Sequence, residues 1–270
     1  MSKLLTSLSS ATNLSSVGGK ANALSKMISA GFNVPSGFVV PSEAYNTMSS
    51  ELQTEILAAF DMLETDFVAV RSSAIGEDSK DAAWAGQLDT FLNCTRDNLI
   101  EKIQACWDSA HSERALSYAQ QRNIKSTSVG VIIQEMIQSE VSGVAFSIHP
   151  VSQDNTQVVI EAGFGLGEAI VSGSITPDTY VANKETGQLI EKHISNQIKK
   201  LARDTQGENK WVDINNGNLQ KLNNEQITEL TKLVIKLEDF FRAPVDIEWA
   251  VSNNTMYVLQ SRPITTLTQE

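Results

Sequence analysis

Residues 246–265, DIEWAVSNNTMYVLQSRPIT, restrict the fold of this chain more than any other stretch. Two alternating runs flank a polar centre, and a period of two predicts antiparallel strands joined by a short turn. Alternation puts Asp246, Glu248 and Ala250 on one face and Ile247, Trp249 and Val251 on the other. In the second run Val258, Gln260 and Arg262 oppose Tyr257, Leu259 and Ser261. A two-residue loop at Asn253-Asn254 would pair Glu248 with Leu259 and Ile247 with Gln260, mixing polar and apolar on both faces. An odd loop, Asn253 to Thr255, is therefore expected, because it pairs Glu248 with Gln260 and Asp246 with Arg262. One face then offers a carboxylate, an amide oxygen and a guanidinium, the groups that hold Mg²⁺ and clamp a phosphate. The plain alternative is a solvated face with an incidental ion pair.

The rest of the chain alternates between helical and strand-like patterns, an α+β character. VGGKANALSKMISAG predicts a helix opened by glycines, with Lys20 in its first turn and Gly31 as its stop. Residues 51–63 are helix-like, and the run from Phe67 is a strand leading to Arg71-Ser72-Ser73. Residues 97–122 read as one helical stretch, and three strands follow from 128, in SVGVIIQEMI, SGVAFSIHP and TQVVIEAGF. GLGEAIVSG opens a helix or turn, and 183–222 is strand-like and rich in loops. NNEQITELTKLVIKLEDFF is the clearest helix, with Asn223 as cap, Gln226 three residues on, and one apolar stripe.

With 270 residues, the chain can bury a sizeable core as one enzyme-sized unit. Its net charge of −11 argues against a nucleic-acid backbone as partner, since such affinity needs clustered Lys and Arg. No apolar run reaches membrane-spanning length and the first residues lack a cleavable leader pattern, so no membrane association and a cytoplasmic location are expected. Cys94 and Cys106 have no metal-ligand or disulfide spacing. His111, His149 and His193 stand in unlike contexts, which leaves no zinc site or catalytic triad to assemble.

Single motifs carry less. VGGK is not a Walker A loop, because Leu14 and Ala21 stand where glycine and a hydroxyl residue are required. The glycines at 163, 165 and 167 have the wrong spacing for a dinucleotide fingerprint. Lys20 at a helix start can still set a point charge on phosphate. Arg71 at a strand end is a reasonable phosphate ligand, and Gly86 in WAGQLDT permits close backbone approach.

Taken in order, VGGKANAL, GFNVPSGFVV, VAVRSSAIGEDS, AGQLDTFLN, VIIQEMI, SGVAFS, GLGEAIVSGSITPDTY, DIEWAV and LQSRPIT resemble the ATP-binding domain of the phosphoenolpyruvate synthase, pyruvate phosphate dikinase and rifampicin phosphotransferase family. The resemblance spans nearly the whole chain. It implies an ATP-grasp-like fold, with Mg-ATP in a cleft between two lobes, approximately 1–126 and 127–270. Matched motif by motif, Lys20, Arg71 and Arg262 resemble phosphate contacts and Gly86 with Thr90 the lid over the phosphates. Gln134 resembles a nucleotide contact near the adenine, and Glu248 with Gln260 the Mg²⁺ ligands. In this family the β-phosphoryl of ATP passes to a histidine, leaving AMP and phosphate.

No phosphohistidine segment or acceptor-binding domain can be found in the 270 residues. The interval before VAVRSS is short, Ala82-Ala83 stand where relatives tend to have serine, and His149 precedes a proline where relatives often have Asp or Asn. The expected function is therefore that of an ATP-binding subunit acting on a histidine of a separate, swivelling protein or subunit, with a further component binding the acceptor. The alternatives are an ATP-sensing module without turnover, or an ATP-grasp ligase or kinase forming ADP.

Overall fold

A computed structural model of the chain describes residues 5–75, 84, 88–122, 124 and 128–264, and all counts and absences below refer to these. The chain forms two units, Met1–Met136 and Ile137–Glu270.

The first unit runs β1 (Thr6–Ser7), α1 (Leu14–Ser29), β2 (Gly37–Val40), α2 (Ser50–Asp61), β3 (Val68–Ala74), β4 (Thr90–Cys94), α3 (Leu99–Ser109), α4 (Glu113–Gln121) and β5 (Val129–Glu135). Its sheet is antiparallel in the order β1-β2-β5-β3-β4. Alternate residues of the central strands, Val68, Val70, Val129, Val131 and Ile133, share a core with Leu52 and Ile56 of α2 and Ile103 and Trp107 of α3. The opposite face carries Arg71 and Ser73 of β3 and Gln134 of β5. Residues 97–122 form two helices rather than one, because the Ser112 hydroxyl accepts from the Ala115 amide and caps a new start. Strand β5 pairs with both β2 and β3, so the units divide at 136/137 instead of 126/127, and Gln134 belongs to the first unit.

The second unit runs β6 (Val141–Phe146), β7 (Gln157–Phe164), α5 (Glu168–Val171), β8 (Asp178–Asn183), β9 (Leu189–His193), β10 (Lys199–Arg203), β11 (Asn209–Asp213), α6 (Asn224–Phe241), β12 (Val245–Ser252) and β13 (Thr255–Pro263). Six strands form an antiparallel sheet in the order β13-β12-β6-β7-β8-β9, while β10 and β11 make a separate ribbon. Helix α6 starts in a reciprocal cap, Asn223 with Gln226, as its sequence predicts. It packs on β12 and β7, and its Ile227, Leu230, Val234 and Leu237 are buried along with Ile160, Tyr180 and Trp249 of the sheet.

The loop-rich 183–222 segment is tied down by a buried ion pair. Asp178 and Lys221 meet at 2.8 Å, both side chains fully shielded. The Lys221 ammonium also donates to the Ser195 and Gly217 carbonyls. The Asp178 carboxylate accepts from the Ser195 and Lys221 amides and the Tyr180 hydroxyl. This full set of partners is what makes two buried charges tolerable.

Candidate functional site

In the first unit, α1 has a break at its start. Gly18 lies at φ 80°, ψ 172°, outside helical space, and a Cβ there would fall 2.1 Å from the Ser73 carbonyl oxygen. Only glycine allows that approach. The helix proper then begins against β3, where the Ala21 amide donates to the Ser73 hydroxyl at 3.0 Å. Lys20, in the first turn, donates to the Ser72 carbonyl at 3.0 Å.

Arg71 lies beside this point, on the sheet face that also bears Ser73, and is only 8% exposed. Its guanidinium donates to the Gln134 side-chain oxygen at 3.2 Å, and the Gln134 amide donates in turn to the Pro35 carbonyl. Gln134 is 2% exposed, so its orientation is set by these bonds. Thr90, the first residue of β4, pairs across the strands with Arg71. Lys20, Arg71, Thr90 and Gln134 are thus gathered on β3 and its neighbours. Gly86 lies outside the described residues.

In the second unit the terminal hairpin pairs Glu248 with Gln260 and Asp246 with Arg262, the expected register. The expected odd loop is wrong. The turn is the two residues Asn253 and Asn254, both left-handed at φ 49° and 58°, the conformation of a tight hairpin turn. A β-bulge between Glu248 and Trp249 leaves Leu259 as the extra residue, since Trp249 pairs with Val258 and Glu248 with Gln260. The even turn and the one-residue bulge offset each other, which restores the polar residues to one face. Trp249, Ile247, Val258 and Ser261 are buried on the other.

Arg262 donates from Nε to both carboxylate oxygens of Asp246, each at 2.8 Å. Burial pushes the Asp246 carboxyl above its usual range, Arg262 opposes that shift and the charge of Glu248 adds to it. Asp246 was not among the site residues expected from sequence, although its spacing two before Glu248 already set it opposite Arg262.

Glu248 and Gln260 stand directly across from each other, so their Cβ atoms are roughly 5 Å apart and a carboxylate and an amide oxygen share one side of the sheet. Among the described residues no group of three or more His, Cys, Asp or Glu could hold a metal. That donor set fits Mg²⁺, which is commonly bound by one or two protein oxygens with the remainder from phosphates and water.

The histidines and cysteines stand in other surroundings. The His111 ring stacks on Tyr45 and its Nδ1 lies 2.9 Å from the Trp107 carbonyl. His149 Nδ1 accepts from the Val151 and Ser152 amides, and His193 lies on the exposed strand β9. Cys94 and Cys106 are buried, with thiols pushed up to about 11 and about 12 by desolvation. No helix among the described residues is long and apolar enough to cross a membrane.

Comparison with known proteins matches residues 46–270 to the pyruvate phosphate dikinase AMP/ATP-binding domain. The chain is 34% identical to a probable phosphoenolpyruvate synthase of Methanocaldococcus jannaschii, over 93% of this chain and 25% of that protein. It is 35% identical to the uncharacterized phosphotransferase YvkC of Bacillus subtilis, over 94% and 34% respectively. Identity to phosphoenolpyruvate synthase of Pyrococcus furiosus is 37%, over 83% and 30%. The chain therefore spans a quarter to about a third of these relatives' lengths. Among solved structures, PH1788 of Pyrococcus horikoshii aligns over 93% of both chains with a TM-score of 0.44 and 13% identity. D-alanine–D-alanine ligase of Bacillus anthracis, complexed with ATP, aligns over 94% of this chain and 57% of its own with a TM-score of 0.41 and 11% identity.

Proposed function

The chain belongs to the pyruvate phosphate dikinase AMP/ATP-binding domain family, and from that premise we propose that it binds Mg-ATP in an ATP-grasp-like manner and passes the β-phosphoryl group to a histidine on a separate protein or subunit, with AMP as the leaving group and the γ-phosphoryl taken by a water molecule and released as phosphate. The observation that carries this reading is the hairpin register, which places Glu248, Gln260 and Arg262 on one sheet face. Lys20, Arg71 and Arg262 hold the phosphates, and Gly86 with Thr90 covers them. Gln134 meets the nucleotide near its adenine, and Glu248 with Gln260 would hold Mg²⁺. When bound, that ion neutralises charge on the phosphates. Catalysis here is mostly positioning.

Each residue has a physical task. Asp246 restricts the swing of Arg262 and so orients its guanidinium toward phosphate oxygens. Gln134 does the same for Arg71. Lys20, placed at a helix start, adds charge where backbone amides already favour an anion. The relatives' greater length supports a histidine carrier outside these 270 residues, in a swivelling component that also serves an acceptor-binding one.

Product analysis tests this. AMP and phosphate should appear only when a histidine-bearing partner is present. ADP would instead favour a ligase or direct kinase, and ATP binding without turnover a sensing module. Glu248→Ala and Arg262→Ala should abolish transfer, by about a hundredfold or more, and Glu248→Ala should keep the melting transition. Near-normal turnover in either variant removes the site.

A further inference from the structure

Glu161 lies in the middle of β7, partly buried, and among the described residues its carboxylate forms neither a hydrogen bond nor an ion pair. Burial raises its pKa from the ordinary 4.5, and no neighbouring donor or cation opposes that shift. The sheet register places it in one row with the hairpin residues. Gln260 pairs with Glu248, Glu248 with Val144, Val144 with Glu161, and Glu161 with Thr179. Residues that pair across strands point to the same face, so Glu161 shares the face of Glu248, two strands or roughly 10 Å away, and of Gln260, one strand further.

A carboxylate held in a sheet without a donor is an energetic liability until a ligand brings one. A phosphate cannot be that ligand, since like charges repel. A cation would find few protein oxygens beside Glu161, whose row neighbours are Val144 and Thr179. Vicinal hydroxyls match better, because two O–H donors fit the two oxygens of one carboxylate. Val144, between Glu161 and Glu248, offers an apolar floor for a sugar ring.

We propose that Glu161 takes the 2′- and 3′-hydroxyls of the nucleotide's ribose, with the phosphates lying toward Glu248, Gln260 and Arg262. This rests on the Mg-ATP reading above and adds direction to it: the nucleotide runs along the sheet row from β12 and β13 toward β7. The site thereby selects ribonucleoside triphosphates over their deoxy forms.

Calorimetric titration of the whole chain with Mg²⁺ and ATP, 2′,3′-dideoxyATP or inorganic tripolyphosphate tests the assignment. The unsubstituted protein should prefer ATP to 2′,3′-dideoxyATP by about tenfold or more, the worth of charge-assisted hydrogen bonds. Glu161→Ala should erase that preference and leave tripolyphosphate affinity and Mg²⁺ dependence unchanged. Both Glu161→Ala and Glu161→Gln should melt no lower than the parent, because they remove an unpartnered carboxylate. Retained preference for ATP in Glu161→Ala overturns the proposal. So does a parallel loss of tripolyphosphate affinity and Mg²⁺ response, which assigns Glu161 to a cation, or a lower melting temperature, which assigns it to the fold. Nucleotide binding that is lost in Arg262→Ala, with preference intact in Glu161→Ala, sinks this inference alone. No Mg-ATP binding by the unsubstituted protein sinks both.

Discussion

At Gly18 the absence of one methyl group decides whether Lys20 reaches β3. An added Cβ would meet the Ser73 carbonyl at 2.1 Å while the backbone sits at φ 80°. Gly18→Ala is expected to cost roughly 2–4 kcal/mol in urea unfolding and to weaken ATP binding with it. Glu161 gives a second residue-level expectation. Its folded-state pKa lies above 4.5, so its favourable contribution is complete below about pH 4.5 and is lost as pH rises through the raised value. The melting advantage of Glu161→Gln over the parent should therefore grow as pH rises above about 4.5. Lys20 in a helix turn and Arg71 on a strand were readable from local pattern, and their grouping with Thr90 and Gln134 from family resemblance. The brace that Gln134 gives Arg71 was not, since it joins residues 63 apart through strand pairing.

At the scale of single elements, the cap of α6 and the turn of the hairpin are directly testable. Asn223→Ala removes one half of a reciprocal cap and should cost about 1 kcal/mol by thermal or urea unfolding. Asn254 holds φ 58°, so Asn254→Val should destabilise by roughly 1–2 kcal/mol, whereas Asn254→Gly should be neutral or better. Helix α6 was legible because cap, apolar stripe and length all agree. The two helices within 97–122 were not told apart, because the helical period runs on past Ser112 and a cap in mid-run resembles an ordinary serine. The hairpin is the instructive case. Its pairing was legible from the need to sort polar from apolar side chains, but the means was not, since a three-residue loop and a two-residue turn with a bulge give the same register at Glu248.

Across the whole molecule, the least legible feature is the one that secures the second unit. Asp178 and Lys221 lie 43 residues apart, Lys221 in a stretch whose sequence shows only loops and weak strands, and each looks like a surface charge until folded. Removing one partner, as in Lys221→Met, should cost roughly 3–5 kcal/mol in urea unfolding, and the double variant Asp178→Leu with Lys221→Met should recover most of it. The division between the units was misread by sequence for a related reason: β5 belongs to the sheet it pairs with, and sheet membership is a long-range fact. Leu259 has a bearing on how such a chain can drift in length. Deleting it straightens the hairpin yet leaves Glu248 opposite Gln260, so this position can lose a residue without disturbing the polar face. One residue inserted between Gln260 and Arg262 instead turns the guanidinium to the opposite side of the sheet. Two neighbouring positions thus differ in their tolerance of the same small genetic accident, one silent to the site and the other fatal to it.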